Sequence, residues 1–246
     1  MKEYQHVISL GHACAVAHEL EHLGYREHSG PFDWQGSRSL SAKISFMKNG
    51  FESFFRGLKA DNLYQTKVPS CYLIKEFEIY FVHDFNEWYP LADQIDTVVE
   101  KYQRRVSHFL KDITEPTLFV YYLFDQDDAY WIDTHMEYIM ETIRLYNIEN
   151  DIVFIADPSI HMNTKCFYVV NDKDTDIAYD FTKKNKELLT FLNNLPYPKE
   201  KRESNIRFYK KGLFKKTIHK NVNRVLRRYW ALTKRPVYHH NLSFFE

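Results

Sequence analysis

The order of elements along the chain predicts an α/β fold: a mostly parallel central sheet flanked by helices, with a basic amphipathic helix at the C-terminal end. Three observations predict it. Thr117–Phe124 and Asp151–Ala156 are continuous apolar runs of strand length, as expected of strands covered on both faces. Long stretches with an apolar residue every three or four positions lie beside them. Strand and helix then alternate from residue 117 onward, and again at Val7–Leu23, which is the order of parallel strands joined by helical crossovers.

Taken in order, Val7–Leu10 reads as a short buried strand that Gly11 ends, and Cys14 opens a helix running to about Leu23. After a Gly/Pro turn, Leu40–Phe55 reads as one helix, with Ile44, Met47, Phe51 and Phe54 on its apolar side. Lys59–Ser70 reads as a loop, and Cys71–Val82 as a strand or hairpin rich in Tyr, Phe and Ile. Leu91–Leu110 is a helix whose apolar face carries Ile95, Val98, Tyr102, Val106 and Phe109. Thr117–Phe124 is the central strand, Asp128–Tyr146 a helix, and Asp151–Ala156 and Cys166–Val170 two further strands. Phe181–Leu195 reads as a last helix before Pro196 and Pro198, where the body ends: residues 1–198 form the α/β unit and 199–246 a tail.

The 246 residues suffice for one sizeable core. Aromatic residues make up 17%, with only 7 Gly and 8 Pro, which argues against disorder and against a loop-rich disulfide scaffold. The three cysteines at 14, 71 and 166 show no metal-ligand or disulfide spacing, so the expectation is a reduced, cytoplasmic setting with no metal and no cofactor. No apolar run approaches a membrane span, and neither GxxxxGK[ST] nor GxGxxG occurs.

A net charge of zero conceals a division. Lys199–Arg235 holds 14 Lys and Arg against 2 acids, so the body is correspondingly acidic. Within 213–232, Phe214, Ile218, Val222, Leu226 and Tyr229 form an apolar stripe flanked by Lys and Arg. Such a helix suits an anionic membrane surface, as a peripheral attachment at the inner face of the membrane. A helix docked on the acidic body fits the same pattern. Nucleic acid fits less well, because the body is acidic and no recognised module is present.

The chemistry concentrates at Cys14, which sits at a helix start beside a Gly turn. The positive end of a helix dipole favours the thiolate of a cysteine placed there; a cysteine packed in the core is the competing reading. His83 closes the Cys71–Val82 segment and could accept the thiol proton, with Asp33 of Pro31-Phe32-Asp33-Trp34 or the adjacent Asp84 to orient it. His12 lies two residues before Cys14 and could line the same site. Asp125 follows the central strand and opens the acidic cluster Asp125-Gln126-Asp127-Asp128, which could hold a divalent cation beside a sugar phosphate substrate but is explained by helix-initiating caps alone. Because Gly11–Cys14, Asp125 and Asp157 all follow predicted strands, they are expected on one sheet edge.

Several segments also carry a resemblance. ISLGHACAVAHELEHLG followed by SGPFDWQGS, then NGFESFF, YFVHDF and EKYQRRVSHF, resemble a bacterial family of papain-like cysteine peptidases over roughly the first half of the chain. The resemblance implies a hydrolase with Cys14 as nucleophile and His83 as base, acting on a peptide, amide or other acyl carbonyl. It also implies a papain-like fold, a helical lobe against an antiparallel barrel-like sheet, whereas the alternation of elements implies a parallel one. Two other functions fit the residues: a membrane-surface enzyme or accessory protein of cell-envelope glycan synthesis, and a binding protein in which Cys14 is structural.

Overall fold

The computed structural model describes residues 2–11, 14–37, 39–68, 70–123, 125–170 and 180–212. In chain order the elements are β1 (His6–Ser9), α1 (Ala15–His22), β2 (Gln35–Ser37), α2 (Leu40–Lys48), α3 (Glu52–Gly57), β3 (Leu63–Gln65), β4 (Tyr72–Ile74) and β5 (Ile79–Phe81). They continue as α4 (Leu91–Asp112), β6 (Thr117–Tyr122), α5 (Gln126–Arg144), β7 (Asp151–Ala156), β8 (Cys166–Tyr168), α6 (Phe181–Lys184) and α7 (Lys186–Asn193).

The central sheet has the order β1-β6-β7-β8 and every pairing in it is parallel. This is the α/β architecture expected from the alternation. All six residues of β6 are buried, because helices cover both faces. Phe119, Tyr121, Phe154 and Ala156 point into a core shared with α2, α4 and α5. Their neighbours Leu118, Val120, Tyr122 and Ile155 face the opposite core, with Val16 and Leu20 of α1 and Leu188 and Leu192 of α7.

Parallel register fixes where the loops leave. Ser9 lies opposite Val120, and Tyr122 opposite Ile155, so β1, β6 and β7 end on one edge. The ladder runs slightly past the strands, through Leu10 N–H to Val120 O at 2.9 Å and Leu123 N–H to Ile155 O at 2.7 Å. The segments carrying Cys14, Asp125 and Asp157 therefore share that edge, as the sequence predicts.

Three expected elements differ in detail. Leu40–Phe55 is two helices, because the chain turns at Asn49–Phe51, with Gly50 at φ 59° and Phe51 at φ 67°. A left-handed phenylalanine is strained; burial of its ring against Phe32, Phe46, Phe54 and Phe109 holds it there. The expected loop Lys59–Ser70 contains β3, which joins β2, β5 and β4 in a small antiparallel sheet of order β2-β5-β4-β3. Phe181–Leu195 breaks at Asn185, whose side-chain oxygen accepts Leu188 N–H at 2.9 Å and so starts α7 afresh.

Residues 199–212 are helical and lie against α1 and α7. Lys201 donates to Glu27 and to Gln5 O, and Arg202 donates to Leu23 O while its guanidinium covers the Tyr25 ring at 4.6 Å. Gly24, at φ 80°, is required here: a Cβ at that position would meet Ile206 at 2.5 Å. The amphipathic stripe expected over 213–232 lies outside the described residues. Among the described residues no helix is long and apolar enough to cross a membrane.

Candidate active site at the carboxyl edge of the parallel sheet

Cys14 is the N-cap of α1. Its carbonyl accepts His18 N–H at 2.9 Å, so it begins the helical ladder, and its side chain makes no capping bond. By helix geometry the N–H groups of Ala15, Val16 and Ala17 have no intrahelical acceptor. They put unpaired donors and the positive end of the dipole at the helix end that Cys14 caps. The turn before it is set by Gly11, at φ 102°, whose N–H is taken by Ser9 Oγ at 3.0 Å. Cys14 is partly exposed and Cys71 is buried; burial also pushes the Cys166 thiol above its usual value.

The Pro31–Trp34 turn is fastened by Arg26. The Arg26 guanidinium donates to Asp33 at 3.0 Å and to Ser29 at 2.7 Å, pairs with Glu21 of α1 at 3.3 Å, and lies over the Trp34 ring at 5.3 Å. Gly30 N–H donates to the same Asp33 oxygen at 2.8 Å, so the buried carboxylate is held from two sides. Asp33 also lines, with Ser9, Leu20 and Arg26, a cavity of about 30 Å³, room for only one or two waters. Next along the turn, the Trp34 ring meets His83 edge-on, with centroids 6.5 Å apart. The structure thus sets Asp33 beside β1, in a cavity it shares with His6, Glu27, His28 and Asp112, and His83 against Trp34. His83 is exposed, in the bend that follows β5.

The remaining candidates are tied into the scaffold. Both oxygens of Asp84 are engaged by α4, one by Lys101 at 2.5 Å and the other by the Tyr102 hydroxyl at 3.0 Å. Asp125 is the N-cap of α5 and accepts Asp128 N–H at 3.0 Å. Asp157 turns back on its own loop, accepting Ser159 N–H and Oγ–H at 2.9 and 2.7 Å. His12 lies outside the described residues.

The profile of one protein family, described as "Putative papain-like cysteine peptidase", matches residues 5–156, which hold Cys14, the Pro31–Trp34 turn, His83 and Asp84. The chain belongs to that family. The match supports a peptidase-like function. Uncharacterized protein R408 of Acanthamoeba polyphaga mimivirus is 45% identical over 47 residues, 19% of this chain and 21% of that protein. The chain thus spans about a fifth of the length of the curated relative it matches. No solved structure matches.

In this member of the family the structure gives partners and surroundings to residues that the sequence reading left open or passed over. Arg26 organises the turn, and only its partners reveal that. Gln35 of β2 is buried with neither amide atom hydrogen-bonded, and Arg105 Nη1 of α4 is buried without a partner. Asp128 accepts Leu40 N–H at 3.0 Å and the Tyr121 hydroxyl at 2.5 Å, and Lys43 lies buried over the Tyr121 ring at 4.8 Å. His18, Glu19 and His22 form a cluster on α1 itself. Its signal was legible as His-Glu-x-x-His inside a helix. At the opposite edge of the sheet, His6 bridges Glu27 at 3.1 Å and Glu115 at 3.2 Å, while His28 pairs with Asp112 at 2.9 Å. Burial alone would raise the Glu27 carboxyl, but hydrogen bonds from His6 and Lys201 outweigh it and hold it low.

Proposed function

We propose that the chain is a thiol hydrolase in which Cys14 attacks an acyl or amide carbonyl and His83 accepts the thiol proton. The observation that carries the reading is the seat of Cys14: N-cap of a helix that starts at the carboxyl edge of a parallel sheet, in a partly exposed position. Attack forms a bond from Sγ to the carbonyl carbon and moves its electron pair to the oxygen. The N–H groups of the first turn of α1 serve as the oxyanion hole in this reading. His83 then returns the proton to the leaving amine or alcohol, and water releases the acyl group from sulfur. Asp33 acts through the turn: with Arg26 it holds Trp34, the ring against which His83 rests, and so is a positioning residue.

The test is rate-resolved alkylation of the native protein at neutral pH, read by mass spectrometry. Cys14 is expected to react at least about tenfold faster than Cys71 or Cys166, and His83→Gln to slow Cys14 alone. First labelling of Cys71 or Cys166, with Cys14 protected, sinks the nucleophile assignment.

A further inference from the structure

Helix α1 carries the sequence His18-Glu19-Leu20-Glu21-His22, two histidines one turn apart with an acid directly after the first. One ligand atom from each of His18, Glu19 and His22 lies within 4.8 Å of the other two. Ligands around a tetrahedral zinc ion stand about 3.3–3.5 Å apart, since the bonds are about 2.0–2.1 Å, so small imidazole rotations close the set. The two rings already meet edge-on with centroids 4.1 Å apart.

Glu19 supplies the independent observation. It is 3% exposed, one oxygen accepts the Thr182 hydroxyl, and Oε1 is buried with no hydrogen-bond partner. A buried acceptor left unsatisfied is costly, more so when charged, so an occupant that completes it is expected. A cation does so directly. Thr182 fixes the carboxylate from behind, as outer-shell partners of metal ligands do.

We propose that His18, Glu19 and His22 bind one zinc ion or a similar divalent transition metal, with water in the fourth position. Two imidazoles and one carboxylate suit that class, whereas calcium and magnesium take oxygen shells. The site stands apart from the thiol reading, because its ligands exclude Cys14. Bound metal links α1 to α6 through Glu19 and Thr182.

The experiment uses untagged full-length protein, titrated with zinc against a chromophoric chelator and with cobalt(II) for its visible absorption. One equivalent is expected to bind, with the absorption of a tetrahedral site. Losing an outer-shell partner weakens metal about 10–100-fold, so His18→Gln with His22→Gln should cost more than about a hundredfold. His22→Gln alone keeps the Glu19–Thr182 bond and should weaken binding as well, which keeps the test decisive if the double variant folds poorly. Glu21→Gln, beside the set, should bind as the native protein does. Absence of binding by the native protein, or equal binding by native protein and His22→Gln, overturns the proposal.

Discussion

Two clusters in this protein are built from the same three side-chain types, an acid, a lysine and a tyrosine. At the bend after β5, Asp84 is bonded by Lys101 and by the Tyr102 hydroxyl. At the start of α5, Asp128 is bonded by the Tyr121 hydroxyl, with Lys43 nearby. What differs is water. The Lys101 side chain is 28% exposed and closes a direct ion pair at 2.5 Å. Lys43 is sealed, and burial pulls its pKa down to about 8 while burial pushes that of Asp128 up. An ammonium that keeps its hydration can settle a carboxylate cheaply; one that has lost it drifts, with its partner, towards the neutral forms. Chemical composition of a cluster thus says little until the solvent reach of each member is known.

The comparison is broken most sharply by removing each acid. Asp128→Ala leaves the Tyr121 hydroxyl and Leu40 N–H buried without their acceptor and removes the carboxylate whose charge favours that of buried Lys43, and is expected to cost about 3–5 kcal/mol. Urea unfolding should show a lower midpoint at unchanged slope. Asp84→Ala frees Lys101 to turn into water, so about 1–3 kcal/mol is expected, mostly from the stranded Tyr102 hydroxyl. Equal losses in the two variants would mean that hydration of the lysine is not the deciding difference.

A pH series sharpens the point with a smaller effect. Burial brings the Lys43 pKa down to about 8 in the folded protein, against the ordinary lysine value of 10.5. A depressed pKa contributes stability that is present above the unfolded value and lost as pH falls through the folded one. The stability of the native protein relative to Lys43→Met should therefore grow as pH is raised from about 8 towards 10.5. A difference that stays flat across that window would show that Lys43 remains fully charged when buried.

How much was legible in the sequence follows from where each signal resides. β6 and β7 were readable because burial on both faces requires an unbroken apolar run, and that run is local. β3 was not: of Leu63, Tyr64 and Gln65 only Leu63 is buried, so a three-residue strand leaves no period to detect. The break at Phe51 was masked because its ring continues the helical spacing even as its backbone leaves the helix. At the site, Cys14 declared itself through its Gly turn and helix start. The fastening of Asp33 by Arg26 and of Leu40 by Asp128, 88 positions apart, exists only in the folded chain.

The position of β1 has a consequence for how the chain comes to be. His6 pairs with Thr117, 111 residues further on, and β1 stands at the edge of its sheet. At roughly 5–20 residues per second of synthesis, β1 waits about 6–20 seconds before its partner strand exists. β6, α5 and β7, by contrast, are contiguous and assemble as soon as they emerge. The segment bearing Cys14 is therefore made well before β6, the strand that seats it, so the thiol acquires its helix-end surroundings only once β6 is in place.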